Sequence, residues 1–311
     1  AAAGGAGQIS VQGREAAAES AAPEAAKTFA VGLRNITLVD TTRPTPANRG
    51  APELPSRTLR TSVYYPAPPV LGDGVFPDAP AAVKSGPFPL LVFAHGFGAD
   101  GPTYGFLLSQ IARQGYVVAA PTFPLSSAGA AGGPNLADYV NQPADVSFVI
   151  DEMLRLDRDR LSPFSYLIAR RHIGVAGHSL GAITTLGLLN TCCIDPRIDA
   201  VVPISGIQLP FPGGSFTYAQ KTPILLIHGD ADGTVPYAGS QQVYAAARRP
   251  KYLLTLLGAG HVPFFGAGGE VLVDSMVHFL DAYLDENDRA LARLKAGGSV
   301  PGVSRLDSSP K

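Results

Sequence analysis

The sequence has no tryptophan, two methionines and two cysteines in 311 residues. Charge is also scarce: 16% of residues are Asp, Glu, Lys or Arg, and the formal net charge is −1. Such a balance gives no electrostatic footprint for nucleic acid, so no nucleic-acid partner is expected. No apolar run approaches the roughly 20 residues that span a bilayer, so no integral membrane segment is expected. The cysteines, Cys192 and Cys193, are neighbours, and none of the six histidines stands at zinc-ligand spacing from them. A disulfide between neighbours closes a strained ring, so two partly buried thiols at a helix end are expected. A vicinal disulfide is the alternative for a secreted chain. Nothing calls for a cofactor or a metal.

What is present is an ample apolar fraction, 46%, with 35 glycines and 28 prolines. Residues 1–27 are dominated by Ala, Gly and Glu and begin without Met. They read as a flexible leader left by signal-peptide removal, so secretion is expected. Order should begin near Thr28. The stretches Phe29–Thr41 and Arg57–Tyr65 show β-branched, alternating patterns of two antiparallel strands, with a Pro-rich loop at 43–55. Residues 66–87 hold Pro and Gly without periodicity and read as a surface excursion.

From Phe88 onward strands and helices alternate. Leu90-Leu91-Val92-Phe93-Ala94 is continuously apolar, as a strand buried on both faces requires. Helix is expected at 104–114, 143–156, 182–190, 239–248 and 270–283. Strands are expected at 116–120, 172–176, 198–204, 224–227 and 252–257. This grammar predicts an α/β fold with a mostly parallel sheet of about eight strands and helices on both faces. One domain over 28–295 is expected, followed by a frayed tail at 296–311.

The chemistry centres on Gly177-His178-Ser179-Leu180-Gly181, between a predicted strand and a predicted helix. A G-x-S-x-G in that context is a nucleophile elbow, a turn too tight for side chains at its glycines. It exposes the Ser179 hydroxyl and turns the next helix's free N–H groups toward developing negative charge. Three further loops follow strands. His95-Gly96-Phe97-Gly98 can supply an oxyanion-hole amide, assigned to Phe97 with Gly98 as the fallback; the other donor is the Leu180 amide. His228-Gly229-Asp230-Ala231-Asp232 offers two carboxylates. Asp232, deeper in the loop, is assigned as the orienting acid, while Asp230 is expected to bond its own loop's amides. Gly258-Ala259-Gly260-His261 supplies the base. The order Ser179, Asp232, His261 suits acyl transfer on this fold.

The expected mechanism is that of a serine carboxylic-ester hydrolase. His261 takes the Ser179 proton during attack, two amides hold the oxyanion, and water cleaves the acyl-enzyme. Because the base must be neutral, acid should suppress turnover. Of the other histidines, His95 and His178 read as loop-packing residues, with His178 also a candidate substrate contact. His228 is expected under its own turn, and His172 and His278 have no partner pattern. Asp157-Arg158-Asp159-Arg160 reads as a solvated helix end.

These residues resemble the α/β-hydrolase superfamily. More narrowly, they resemble bacterial dienelactone-hydrolase-like and platelet-activating-factor-acetylhydrolase-like serine esterases, near the cutinases and polyester hydrolases. The resemblance spans roughly 29–285. It rests on Ser62-Val63-Tyr64-Tyr65-Pro66-Ala67, the His95 loop, the elbow, Cys192-Cys193-Ile194-Asp195-Pro196-Arg197-Ile198, and the Asp232 and His261 loops. It implies a triad of Ser179, Asp232 and His261 with Phe97 and Leu180 as oxyanion donors. Dienelactone hydrolases proper use Cys as nucleophile, so lactone opening is not implied. The short 205–222 segment implies an open cleft rather than a lid. Its apolar walls are expected from Phe97, Ile207, Leu209, Phe211 and Phe264/Phe265, with Phe97, His178, Ile207 and Phe264 as substrate contacts. Short to medium acyl esters are the expected substrates. A cutinase-like polyester hydrolase and an acyltransferase are the alternatives, and a monomer is expected.

Overall fold

The computed structural model describes residues 28–218 and 221–310. The expected leader at 1–27 lies outside them. Two antiparallel strands lead in, β1 (Ala30–Asp40) and β2 (Arg57–Ala67), followed by a short β3 (Val75–Pro77). The alternating part then runs β4 (Phe88–Ala94), α1 (Gly105–Arg113), β5 (Val117–Thr122), α2 (Gln142–Arg158), β6 (Ile168–His178) and α3 (Leu180–Gly187). It continues with β7 (Ala200–Ile204), β8 (Ile224–Gly229), α4 (Ala238–Ala246), β9 (Lys251–Leu256), α5 (Gly266–Leu284), α6 (Asp288–Gly297) and β10 (Ser304–Ser309). All strands form one sheet in the order β10-β9-β8-β7-β6-β4-β5-β2-β1-β3. From β5 to β9 the neighbours are parallel.

Side-chain alternation divides the core. On β4, Leu90, Val92 and Ala94 face a layer with Val146, Val149, Ile150 and Met153 of α2, while Leu91 and Phe93 face Leu107, Leu108 and Ile111 of α1. On β8, Ile224 and Leu226 take the first side; Leu225 and Ile227 take the second, with Leu272, Met276 and Phe279 of α5. A strand with period-two side chains and both faces covered must be apolar throughout, which is why β4 and β8 read as unbroken apolar runs. Among the described residues no helix is long and apolar enough to cross a membrane.

The sheet has ten strands, not about eight. One addition, β3, lies inside the stretch expected to be an excursion and joins the far edge beside β1. The other, β10, corrects the expected frayed tail: Ser304–Ser309 pairs antiparallel with β9 from Ser304↔Leu256 to Ser309↔Lys251. An edge strand buries one side only, so Ser-Arg-Leu-Asp-Ser-Ser satisfies the ladder without an apolar signature. Cys192 and Cys193 are joined by a disulfide, not left as thiols. They occupy a turn after α3, where the Cys193 N–H bonds the Asn190 carbonyl. Thr191 exchanges bonds with Ser215 of the segment that follows β7. Asp157 also departs from expectation: it is buried, accepting from the Ile168 N–H and from Arg170.

A buried ionic cluster pins β2 to the start of α2. Arg57, 1% exposed, grips Asp145 at 2.6 and 2.8 Å and Asp138 at 3.0 and 3.2 Å. Arg43 reaches Asp145 as well, at 2.8 Å, whereas among the described residues Asp138 ion-pairs with Arg57 alone. Replacing Arg57 by Met should strip the charge partner from a buried carboxylate. We expect Arg57→Met to cost about 3–5 kcal/mol, read as a lower urea midpoint.

Candidate active site

Because β4, β6, β8 and β9 are parallel and in close register, their carboxyl ends share one edge: Ala94 lies beside Gly177, and Gly229 beside Leu256. The four loops singled out in the sequence leave from this edge. Ser179 sits between β6 and α3 with φ 56° and ψ −116°, a conformation that non-glycine residues adopt only under constraint. The constraint comes from its glycines. A Cβ on Gly181 would stand 2.0 Å from the Ala94 carbonyl oxygen, and one on Gly177 would stand 2.3 Å from the Gly181 oxygen.

The structure brings Ser179, His261 and Asp232 together. The Ser179 Oγ lies 2.8 Å from His261 Nε2, and His261 Nδ1 lies 2.8 Å from Asp232 Oδ2. The Asp232 carboxylate is fully buried, whereas the His261 side chain is 17% exposed. With Nδ1–H donating to Asp232, Nε2 is left to accept from the serine. Asp232 collects further donors: Thr234 N–H and Val235 N–H on Oδ1, and His228 Nε2 at 3.1 Å on Oδ2. Burial alone would raise this carboxyl, but the bonds from His261 and the two amides outweigh it and hold it below the usual carboxylate range. His228 is buried beneath the turn, its Nδ1 2.7 Å from Ser240 Oγ.

Asp230 stands apart. Its Oδ1 accepts from the Gly258 N–H at 2.6 Å, tying its loop to the one that carries His261 instead of to its own amides. It was Asp232 that took the bonds from its own loop.

The His95 loop is held from several sides. His95 is buried; its Nδ1 meets the Gly96 carbonyl at 2.7 Å, and its Nε2 accepts from the Phe123 N–H at 2.9 Å. The Ala99 N–H also bonds the Gly96 carbonyl. Since the peptide unit is planar and trans, fixing that carbonyl aims the Phe97 N–H the opposite way. Among the described residues this amide has no acceptor, whereas the Gly98 N–H is spent on the Ser126 carbonyl, which removes the fallback donor. Leu180 opens α3, where an N–H has no partner within the helix.

The expected apolar contacts divide. Phe97 and Phe265 are exposed, at 48% and 69%, while Phe211 and Phe264 are buried. Phe264 packs edge-on against His178 and Tyr104, so it backs the site instead of forming an open wall. Ile207 and Leu209 are partly buried against Leu180, Ile183 and Phe211. His178 is buried and both its ring nitrogens are engaged, by Tyr104 and by the His261 carbonyl, which leaves none for a substrate. Tyr104 carried no sequence signal beyond its place at a helix start. His172 bonds the Leu284 carbonyl, and His278 lies on α5. A cavity of about 740 Å³ lined by Lys221, Pro250, Lys251 and Tyr283 opens at the amino end of β9, away from this edge.

Burial pushes His95 and His178 down to about 4. Between that value and the usual 6.5, the unfolded chain binds protons that the folded chain refuses. Stability therefore falls as pH falls through this window, by on the order of 2–3 kcal/mol for each histidine. Urea midpoints at pH 7.5 and 4.5 should differ accordingly, and replacing either histidine by a non-titrating residue should flatten the profile.

Comparison with known proteins gives the family. The uncharacterized protein YfhR of Escherichia coli O157:H7 is 37% identical over 84 residues, 26% of this chain and 30% of that protein. YfhR of Salmonella typhi is 33% identical over 63 residues, 20% and 22% of the two chains. The chain thus matches less than a third of the length of these curated relatives. A solved ferulic acid esterase from Streptomyces cinnamoneus superposes with a TM-score of 0.65 over 83% of this chain and 91% of that one, at 22% identity. That likeness establishes a shared fold. The chlorophyllase family model matches residues 71–226, half of the chain, including β4, the His95 loop and the elbow. The chain belongs to the chlorophyllase family and has the α/β-hydrolase fold.

Proposed function

We propose that the chain cleaves carboxylic esters through an acyl-enzyme on Ser179. The observation that carries this is the unbroken line from Ser179 Oγ through His261 to buried Asp232, with 2.8 Å at each step. His261 Nε2 accepts the Ser179 proton as Oγ attacks the ester carbonyl. The imidazolium that forms faces the Asp232 carboxylate, and the Phe97 and Leu180 amides receive the oxyanion. The proton passes to the leaving alkoxide. Water, deprotonated by the same imidazole, then attacks the acyl carbon and releases the acid.

The substrates are short to medium acyl esters, because the side chains nearest the surface here (Phe97, Val262, Phe265) are apolar and exposed. One further observation favours a polymeric ester as a second reading. Phe106 and Phe265, both exposed, stack with ring centroids 5.1 Å apart and make a flat aromatic rim. A p-nitrophenyl ester series from acetate to palmitate, run beside a polyester film, tests both. Turnover should peak at the short chains and decline toward palmitate. Film erosion would add the polymer reading, and a maximum at palmitate would overturn the open-cleft assignment.

A further inference from the structure

The reading of Ser179 and His261 leaves one buried polar chain unused. The Gly96 N–H donates to the Tyr104 hydroxyl at 3.1 Å, and that hydroxyl donates to His178 Nδ1 at 2.8 Å. His178 Nε2–H, in turn, donates to the main-chain carbonyl of His261 at 2.7 Å. Every donor in the series points the same way, so each bond polarises the next. The surroundings are dry: Tyr104 and His178 are each 5% exposed, and the rings of Phe93 and Phe264 pack against them. Burial also keeps His178 neutral and the Tyr104 hydroxyl protonated, up to about 12, so the donor order holds across working pH.

The two ends of this relay matter more than its middle. One end fixes Gly96, whose next amide belongs to Phe97, the proposed oxyanion donor. The other fixes the backbone of His261, the proposed base. The elbow itself supplies the link, since His178 immediately precedes Ser179. Tyr104 bonds the first loop, His178 the second, and the bond between them joins the two.

We infer that Tyr104 and His178 are positioning residues that set the oxyanion loop and the His261 loop at a common distance from Ser179. The inference rests on the esterase reading above. Neither side chain touches substrate. Both act through the groups they hold, where a misplacement of about 1 Å can cost on the order of 100-fold in rate.

Steady-state kinetics on p-nitrophenyl acetate test this in Tyr104→Phe, His178→Leu, His178→Gln and Ser179→Ala, each with its melting temperature. Tyr104→Phe and His178→Leu should lower kcat by roughly 10- to 100-fold while KM stays within about twofold. His178→Gln can place an amide N–H where Nε2 stands and should recover most of the loss seen in His178→Leu. The double variant Tyr104→Phe/His178→Leu should fall little below the worse single variant, because both cut one chain. A merely structural role predicts instead a fall in melting temperature with kcat intact, no rescue by Gln and additive losses. Wild-type kcat in Tyr104→Phe and His178→Leu, with Ser179→Ala inactive, would overturn the inference and leave the esterase reading standing. Undiminished activity in Ser179→Ala would overturn that reading itself. If His178→Leu does not fold, Tyr104→Phe decides alone: a kcat loss at unchanged KM supports the relay, and wild-type kcat refutes it.

Discussion

Ser179→Ala should remove turnover almost entirely, by about 10⁶-fold in kcat, the scale seen when a triad serine is deleted. The variant should fold normally. Among the described residues its side chain makes one hydrogen bond, to His261 Nε2, and the strained turn is held by close contacts of Gly177 and Gly181 that the substitution leaves in place. Substrate binding should change little, because the loss falls on a bond made during the reaction. A p-nitrophenyl ester assay at high enzyme concentration, alongside a melting curve, checks both halves of this expectation.

Asp232→Asn should cost about 10⁴-fold in kcat, and the reason is tautomeric. The amide can still accept from Thr234 and Val235 through its oxygen, which places its NH₂ against His261 Nδ1 and His228 Nε2. His261 Nδ1 must then become the acceptor and Nε2 the protonated nitrogen, unable to take the serine's proton. The imidazolium also loses its counter-charge. Asp230→Asn should cost less than about tenfold by the same argument, since its carbonyl can keep the bond from Gly258 that the carboxylate makes now. A large loss in Asp230→Asn with a small one in Asp232→Asn would reassign the acid.

The site was more legible than the periphery of the fold. Strand β4 and the carboxyl half of the elbow strand β6, from Ile173, declare themselves because burial on both faces forces apolar runs, and the glycines of the elbow are forced by contacts near 2 Å. The loops carrying Phe97, Asp232 and His261 stood out because parallel strands send their carboxyl ends to one edge, so sequence order alone placed them together. Edge strands obey weaker rules. β3 and β10 gain main-chain bonds with little apolar burial, and polar Ser304–Ser309 looked like a tail. Long-range partners were likewise hidden. Nothing near Arg57 in sequence announces Asp138 and Asp145, and nothing near Tyr104 announces His178, 74 residues away. The pairing of Asp230 with Gly258 was missed for the same reason: a turn residue's own amides are visible in sequence, and a neighbouring loop's are not.

The central claim is that Ser179 becomes covalently acylated. The most direct measurement is mass spectrometry of the intact and then digested protein after exposure to a fluorophosphonate, which mimics the tetrahedral intermediate and is not released. The account predicts one phosphonyl group per chain, on the peptide holding Ser179, with esterase activity lost in proportion and no label in Ser179→Ala. Label on another residue, or full hydrolysis of p-nitrophenyl acetate by an unlabelled chain, would contradict it.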